Sequence, residues 1–232
     1  MRWFDTFFNK NEVVFNFNYL KLEKLYKNKE IDKHQYNYFL ASLINSIDKY
    51  ANTVSIYGAF LKSLKKRAEK NFKLELLPII EGNKKGKVYN EDVNSLIKKV
   101  KGDILYLDPP YNSKQYSTNY HLLETISRYD NPVIKGKTGL RVCNKQKSKF
   151  CSKPQVNQVF EELISNADFK YIFLSYNDEG LMKLEDIKRI LEKYGEYRYF
   201  ATNYKRFKSD KDKNRNYKKS STIEYLHCPI KK

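Results

Sequence analysis

An apolar run that ends in an acid, two prolines and an aromatic residue constrains the fold of this chain more than any other segment. It reads Asp103-Ile-Leu-Tyr-Leu-Asp-Pro-Pro-Tyr111. Such a run predicts a buried parallel strand, which would deliver Asp108 to the carboxyl edge of an open α/β sheet, where ligands bind. Pro109 and Pro110 have no N–H and a fixed φ, so the carbonyl groups there can point at a ligand instead of pairing in the sheet.

One carboxylate, one fixed carbonyl group and one ring suit an exocyclic amino group on a planar base. Asp108 and the Pro109 carbonyl can each accept one amino hydrogen, while Tyr111 stacks on the ring of a flipped base. Holding both hydrogens favours a lone pair out of the ring plane, which makes the nitrogen a better nucleophile. The alternative is a strand that ends in a rigid Pro-Pro turn with no catalytic role.

The Asp108-Pro-Pro-Tyr111 segment resembles the catalytic motif of DNA methyltransferases that methylate base amino groups. Residues 108–126, 129–132, 135–141, 55–62 and 174–180 extend the resemblance to bacterial adenine-specific enzymes of the Dam type, from about residue 31 to the C-terminus. The resemblance implies adenine N6 as the methyl acceptor and S-adenosylmethionine as the donor. It also implies catalytic roles for Asp108, Pro109, Pro110 and Tyr111, and a cofactor contact for Asp108.

One expected element of that family has no counterpart in the sequence. Its members carry a Phe-x-Gly-x-Gly loop that cradles the methionine part of the cofactor, but no two of the 8 glycines here have Gly-x-Gly spacing. We therefore expect a fragment, a degenerate reading frame, or a catalytic half whose partner polypeptide supplies the loop. Alone, the chain is expected to bind S-adenosylmethionine weakly or not at all.

The segment before the motif reads as a compact βαβ unit. Residues 88–92 are predicted as a short strand, 93–100 as a helix and 104–107 as the next strand. Asp92 would then lie at a strand end, where the family resemblance implies contact with the adenine of the cofactor. The alternative is that Asp92 caps the following helix.

The predicted fold class is α/β, a partial Rossmann-like methyltransferase sheet with an N-terminal helical segment. Residues 1–86 form the helical segment, a possible part of the DNA-recognition region, and 87–232 form the catalytic α/β portion with basic loops. Asp32 and Gln35 predict a capping box at the start of a helix. A helix following Ser152 and Pro154 should bury an apolar face. Residues 171–176, 197–207 and 222–230 are predicted strands, the last two antiparallel. The apolar inner face of the helix that follows Ser152 and Pro154 comprises Val156, Val159, Phe160, Leu163 and Ile164.

The charge balance points to a polyanionic partner, which the family resemblance makes double-stranded DNA. There are 45 Lys and Arg residues against 27 Asp and Glu, a net charge of +18, although AT-rich coding would also enrich lysine. Residues 135–153 read as an open basic connection that meets DNA, and residues 62–70 as a basic helix that either follows phosphates or is merely solvated. The predicted DNA-contacting residues are Lys114, Tyr116, Lys135, Lys137, Arg141, Lys145, Lys205 and Arg206.

The number and spacing of the cysteines and histidines argue against a metal-binding protein and against a disulfide-stabilised one. The 3 cysteines lack metal-ligand spacing, their odd number argues against a disulfide framework, and the 3 histidines are scattered. The sequence has no membrane-length apolar stretch and no signal peptide, so we expect a cytoplasmic protein without membrane contacts.

Taken together, these features predict a site-specific, S-adenosylmethionine-dependent DNA adenine-N6 methyltransferase, or its catalytic half. A non-enzymatic alternative is a truncated, inactive DNA-binding remnant. A second enzymatic alternative is methylation of amino groups in RNA or protein, which uses closely related motifs. The missing glycine loop separates the first two hypotheses.

Overall fold

The computed structural model describes residues 12–84, 86–205 and 221–231, and it divides the chain into two units. The first unit comprises Met1–Lys84 and Tyr116–Gln146, and the second comprises Lys85–Gln115 and Lys147–Lys232. The predicted boundary after residue 86 would leave residues 116–146 in the catalytic portion, whereas the structure groups them with the N-terminal unit. Within the described ranges, no helix has the length and apolar character needed to cross a bilayer.

The helices and strands of both units are numbered here in chain order. The helices are α1 Glu12–Lys27, α2 Lys33–Tyr50, α3 Val93–Leu96, α4 Tyr116–Asn119, α5 His121–Arg128, α6 Val156–Asn166 and α7 Leu184–Glu192. The strands are β1 Lys101–Leu107, β2 Ile134–Lys135, β3 Leu140–Arg141, β4 Asp168–Asn177, β5 Gly195–Lys205 and β6 Ser221–Lys231.

The N-terminal segment of the first unit contains two helices, α1 and α2, as the predicted helical segment requires, and α2 begins at the predicted capping box. The Asp32 carboxylate accepts a hydrogen bond from the Gln35 backbone N–H at 2.8 Å, and the Gln35 side chain accepts one from the Asp32 N–H at 2.9 Å. These bonds satisfy two donors that the helix itself cannot pair. The core of this unit includes Tyr19, Leu43, Ile47, Tyr57 and Leu122.

Two predictions for the basic segments are wrong. Residues 62–70 form turns rather than a basic helix, because polar side chains hold the backbone there. Arg67 donates to the carbonyl groups of Ala51 and Thr53 at 2.9 and 2.8 Å, and the Lys65 N–H donates to Asn52 at 3.1 Å. Residues 135–153 are not an open connection: β2 and β3 pair as an antiparallel hairpin, and two short 3₁₀ turns follow it.

The second unit contains a four-stranded sheet with strand order β1-β4-β6-β5. Strands β1 and β4 are parallel, and β6 is antiparallel to both β4 and β5. The predicted antiparallel end of the sheet is therefore confirmed. Strands β5 and β6 pair along their whole length, from Gly195↔Lys231 to Lys205↔Ser221.

One face of this sheet packs against helices α6 and α7 and forms the core of the second unit. All five apolar residues predicted for the inner face of α6 are buried, and they pack with Ile172, Leu174 and Tyr176 of β4. Leu105 and Leu107 of β1 contact the same core. The spacing of apolar residues in the sequence therefore predicted the buried face of α6 correctly.

The prediction that β1 is buried is wrong, because among the described residues β1 lies at an edge of the sheet and its side chains opposite the core are exposed. Ile104 and Tyr106 are each 62% exposed. They belong to an open face whose exposed apolar members also include Tyr171, Phe200, Leu226 and Ile230. Register places these side chains on the face opposite the core, since residues paired across strands share a face.

The predicted strand over residues 88–92 is absent, so the βαβ unit is incomplete. These residues have no strand assignment, and Val88 is 96% exposed. Within the described part of the chain, no strand pairs with this segment. A residue pattern typical of strands is not sufficient, because a strand is stable only when it is hydrogen-bonded to a neighbouring strand. The predicted helix begins at Val93, but its helical part is short and ends at Leu96.

Candidate active site

The acid-Pro-Pro-aromatic segment follows directly from the carboxyl end of β1. Leu107 is buried and pairs with Leu174 of β4, and Asp108 comes next in the chain and is exposed. Tyr111 keeps 43% of its surface exposed, which leaves its ring accessible to a ligand. Because β1 and β4 are parallel, the segments after their carboxyl ends lie at the same edge of the sheet.

Hydrogen bonds hold the segment after β1 in place. The Tyr111 carbonyl group accepts a hydrogen bond from the Leu181 N–H at 2.9 Å, which ties the segment to the loop after β4. The Gln115 side chain donates to the Ser148 carbonyl at 3.0 Å and accepts from the Ser148 N–H at 2.7 Å. With two consecutive prolines before Tyr111, these bonds leave the segment little freedom to move.

The loop after β4 is fixed by a glycine packed on an aromatic ring. Gly180 is buried, and a Cβ atom at this position would overlap the ring of Tyr176. Its N–H donates to the Asn177 carbonyl at 3.2 Å, which closes a tight turn. Burial raises the pKa of the Tyr176 hydroxyl, which accepts a hydrogen bond from the Met182 N–H. Only a residue without a side chain fits here.

Asp178, in the same loop, is used to join β4 to β6. One oxygen of its carboxylate accepts hydrogen bonds from the Thr222 hydroxyl at 2.6 Å and from the Ile223 N–H at 3.1 Å. The Asp178 N–H in turn donates to the Ile223 carbonyl at 3.0 Å. This carboxylate therefore positions the first residues of β6 beside the last residues of β4.

Glu224 is a partly buried carboxylate of β6 that the sequence reasoning did not single out. It lies in register with Asn177, the last residue of β4. Burial raises the pKa of the Glu224 carboxyl group, and the negative charges of Asp178 and Asp108 raise it further, while the bond from Asn177 opposes them. No motif signals this residue, because only the strand order and register bring it near Asp108.

Asp92, the second predicted cofactor contact, caps helix α3. One oxygen of its carboxylate accepts hydrogen bonds from the N–H groups of Asn94 at 3.0 Å and Ser95 at 3.3 Å. The capping alternative is therefore what the structure contains, since these are donors that a helix start leaves unpaired. Contact between Asp92 and a cofactor stays a prediction.

The predicted DNA-contacting residues fall in both units. Lys114 and Lys205 are exposed in the second unit, and Tyr116, Lys135, Lys137 and Lys145 are exposed in the first. Lys135 and Lys137 belong to the hairpin formed by β2 and β3 and its connecting turn, and the Lys137 ammonium lies 5.7 Å from the ring centre of Phe60. Arg206 lies outside the described residues.

Arg141, a predicted DNA-contacting residue, forms an ion pair within the first unit. Its side chain is only 8% exposed, and two of its nitrogens donate to the Asp130 carboxylate at 3.1 and 2.5 Å. This bidentate pair, with the hydrogen bond as the main cause, holds the pKa of the Asp130 carboxyl below its usual range. Arg141 thereby joins β3 to the segment after α5, while DNA contact by this residue stays untested.

Metal chemistry has no candidate site in the ranges that the structure describes, since no group of three His, Cys, Asp or Glu side chains there could hold a metal ion. Cys151 is buried, and burial raises the pKa of its thiol, which keeps it protonated.

Comparison with known proteins finds a family model and several relatives that match most of the chain. The sequence profile of D12 class N6 adenine-specific DNA methyltransferases matches residues 5–194. Type II methyltransferase M.NlaIII of Neisseria lactamica is 52% identical over 208 residues, which cover 90% of this chain and 62% of that protein. Type II methyltransferase M.FokI of Planomicrobium okeanokoites is 47% identical over 182 residues, which cover 77% of this chain and 28% of that protein.

A viral relative extends the similarity to a more distant source. Type II methyltransferase M.CviAII of Paramecium bursaria Chlorella virus 1 is 36% identical over 179 residues, which cover 77% of this chain and 53% of that protein. The chain thus spans less than two thirds of the length of each of these three relatives, and no solved structure matches it significantly. Because the family profile covers most of its residues, the chain belongs to the D12 class of N6 adenine-specific DNA methyltransferases.

Proposed function

We propose that this chain carries the amino-group-binding part of a site-specific DNA adenine-N6 methyltransferase that uses S-adenosylmethionine. The observation that carries the proposal is the Asp108-Pro-Pro-Tyr111 segment at the carboxyl end of a parallel strand, with Asp108 and Tyr111 exposed. Family membership and the relatives' printed names support the reaction class. The basic composition supports a polyanionic substrate.

The roles of the residues follow from their donors and acceptors. The Asp108 carboxylate and the Pro109 carbonyl each accept one hydrogen of the adenine amino group, and the Tyr111 ring stacks on the base after it leaves the helix. Both acceptors are held by a stiff backbone, so the nitrogen is presented with its lone pair toward the reacting carbon. Orientation of this kind supplies much of the rate enhancement when the methyl donor is already activated.

We propose that two acidic residues of the second unit, Asp108 and Asp92, contact the cofactor S-adenosylmethionine. S-adenosylmethionine supplies an electrophilic methyl group on a positively charged sulfur when it is bound. The Asp108 carboxylate is exposed and has no hydrogen-bond partner among the described residues, so it can accept N–H groups of a cationic ligand. Asp92 would add a second carboxylate, through the oxygen that does not cap α3.

DNA contact is proposed for the exposed basic residues of both units. Lys135, Lys137 and Lys145 would pair with phosphates in the first unit, as would Lys114 and Lys205 in the second. Such contacts position the duplex but do not read its sequence. Tyr116 stacks on Tyr120 with ring centres 5.7 Å apart and is largely exposed, so it offers a flat surface for a nucleotide.

A second polypeptide that carries the glycine loop is proposed as a partner. Among the described residues only β4 pairs with β1, which supports this proposal because an unpaired strand edge accepts another strand. The absence of Gly-x-Gly spacing in the sequence supports it as well. Cofactor binding measured by calorimetry should be weak for the chain alone and stronger after such a polypeptide is added.

Replacement of Asp108 tests the proposed function. We expect Asp108→Asn to lower methyl transfer to duplex DNA at least about 100-fold, since it replaces one charged acceptor of the amino hydrogens, and to leave duplex affinity nearly unchanged. The assay follows labelled methyl groups from S-adenosylmethionine into adenine-containing duplexes, with and without the partner polypeptide. Asp103→Asn is the matched control, because Asp103 is an exposed carboxylate on β1, the strand that precedes Asp108.

The outcomes separate a catalytic role from a structural one. Equal loss of methyl transfer and of DNA affinity in Asp108→Asn would mean that Asp108 supports the fold. Transfer to RNA or to a protein in place of duplex DNA would contradict the proposed substrate. If the unmodified chain and its partner transfer no methyl group, the DNA-binding remnant is the better description.

A further inference from the structure

The hairpin formed by β2 and β3 is too short to be stable by itself. Two residue pairs join its strands, Ile134↔Arg141 and Lys135↔Leu140. A two-stranded hairpin without further packing is marginally stable at best in water. Contacts with the rest of the first unit must therefore hold this hairpin, which carries two of the lysines proposed to pair with phosphates, Lys135 and Lys137.

One side chain, His121, reaches the turn of this hairpin from the start of α5. His121 is fully buried, and its Nε2 atom lies 2.8 Å from the carbonyl oxygen of Thr138, in the turn between β2 and β3. Its Nδ1 atom lies 2.8 Å from the carbonyl oxygen of Thr118, in α4. The imidazole ring therefore lies between a helix and the hairpin turn, with a nitrogen facing a carbonyl group on each side.

Both partners of the His121 ring are hydrogen-bond acceptors. A carbonyl oxygen cannot donate, so each of these contacts is a hydrogen bond only where the facing ring nitrogen carries a hydrogen. The protonated ring and one of its two neutral tautomers carry a hydrogen on Nε2, the atom that faces Thr138. In both of these forms His121 binds the hairpin turn, and an apolar side chain at this position could not.

The turn of the hairpin has a second contact with the same part of the unit. The Lys137 ammonium lies 5.7 Å from the ring centre of Phe60, within the range of a cation–π attraction. The segment that carries Phe60 is bound to the end of α4, because the Tyr57 N–H donates to the Asn119 carbonyl at 2.7 Å. Helix α4 therefore supports both the turn, through His121, and the ring that Lys137 contacts.

Order in the hairpin turn favours phosphate binding by its lysines. A lysine ammonium is a point charge on a flexible side chain, and its contact with a phosphate costs less entropy when the backbone that carries it is already ordered. Resting on the proposed function, we propose that His121 is a positioning residue for DNA binding. Its Nε2–H group donates to the Thr138 carbonyl and fixes the turn, so that Lys135 and Lys137 pair with phosphates of the same duplex.

The first test is the salt dependence of duplex binding. His121→Leu removes both ring nitrogens and keeps a side chain of similar size, whereas His121→Gln keeps amide hydrogens that can donate to a carbonyl group. His121→Leu should lower duplex affinity about 10-fold and make the slope of log affinity against log salt shallower by about 1.8, the value for two phosphate contacts. His121→Gln should restore most of both. An unchanged slope in His121→Leu overturns the inference, because partial unfolding alone leaves the contacts of the folded molecules intact.

The second test asks whether His121 acts through the two lysines. The double replacement of Lys135→Ala and Lys137→Ala should weaken duplex binding by the unmodified chain but have little further effect in His121→Leu, because the loosened turn no longer presents these lysines. Lys205→Ala, in the second unit, is the control and should cause the same loss in both backgrounds. Independent, additive losses for His121 and the two lysines overturn the inference. So does an absence of any effect of the two lysines in the unmodified chain.

The third test needs neither DNA nor methyl transfer. Nitrogen-15 NMR of the histidine rings should show a hydrogen on Nε2 of His121, whose signals are identified by their loss in His121→Gln. Hydrogen exchange at the Gly139 N–H, which donates to the Gly136 carbonyl at 3.3 Å, should become faster in His121→Leu. The amide of Ile47, on the buried face of α2, is the control and should exchange at an unchanged rate.

The outcomes separate this inference from the proposed function. A bare Nε2 atom, or unchanged exchange at Gly139 in His121→Leu, overturns the inference. A chain that shows all three effects but transfers no methyl group, even with the partner polypeptide, counts against the proposed function and leaves the role of His121 in DNA binding established.

Discussion

His227 is a fully buried titratable residue in the middle of β6, away from the residues proposed for catalysis. Its Nδ1 atom lies 2.8 Å from the Tyr197 hydroxyl, and its Nε2 atom has no hydrogen-bond partner in the ranges that the structure describes. Burial lowers its pKa to about 4. The native state therefore holds this imidazole neutral at pH values where an unfolded chain would protonate it.

This difference makes stability depend on pH. Because the folded pKa is lower than the unfolded one, the stabilisation is complete above pH about 6.5 and is lost as the pH falls toward about 4. The free energy of unfolding should decrease by about 1.4 kcal/mol per pH unit in this window. Urea unfolding of His227→Leu should lack this part of the slope, and the exposed-site control His34→Gln should retain it. Equal slopes in all three proteins would contradict a neutral, buried His227.

Variants of Arg141 and Lys137 should distinguish a basic side chain that stabilises the fold from one that binds DNA. Arg141→Lys cannot reproduce the bidentate pair with Asp130, so the free energy of unfolding should fall by about 2 kcal/mol, less than for a fully buried pair because Asp130 is partly exposed. Lys137→Ala should change it by less than about 0.5 kcal/mol but weaken duplex binding. Chemical unfolding and fluorescence anisotropy measure the two effects. The assignment fails if Arg141→Lys weakens DNA binding without destabilising the chain.

Sequence reasoning at the residue scale succeeded where the interaction is local. The Asp32 and Gln35 capping box involves residues three apart, so the sequence contains all of it. The sequence shows the charge of Arg141 but not its Asp130 partner, because folding creates that contact. Glu224 was missed for the same reason, since its neighbours come from β4 and from the segment after β1.

At the scale of elements, the sequence predicted the strand nature of β1 but not its position in the sheet. A run of apolar residues predicts a strand. Whether that strand lies at the edge or in the centre of the sheet depends on which other strands pair with it. Within the described residues β4 alone pairs with β1, and no strand forms at residues 88–92, so Ile104 and Tyr106 stay exposed. The inner face of α6 was predictable because its period is a property of the helix itself.

The open face of β1 should tolerate charge. Tyr106→Lys places an ammonium group on an exposed surface, so the free energy of unfolding should change by less than about 0.5 kcal/mol, while self-association should decrease. The neighbouring Leu105→Lys, on the face that packs against the core, should instead destabilise the chain by several kcal/mol, on the order of the cost of burying an unpaired charge. Sedimentation velocity and chemical unfolding distinguish the two. Similar destabilisation by both variants would show that the open face is covered.

For the whole molecule, the net charge of +18 should govern DNA binding by the isolated chain. Each phosphate contact releases counterions, so the logarithm of the association constant should fall with the logarithm of salt concentration, with a slope of about −0.9 per contact. Two duplexes of unrelated sequence should bind with similar affinities, because phosphate contacts read no sequence. Anisotropy titrations over a range of salt concentrations give the slope. Affinity that does not respond to salt would rule out this electrostatic account.

The strand order β1-β4-β6-β5 also has a consequence for synthesis on the ribosome. Strand β6 follows both of its neighbours in the sequence, yet it lies between them in the sheet. A nascent chain therefore exposes the 11 residues of β5 before their partner exists, and β6 must then enter a gap between two strands already made. Non-local pairing of this kind is slow, so the sheet closes only after residue 231 has emerged, and until then the edges of β4 and β5 that pair with β6 stay exposed.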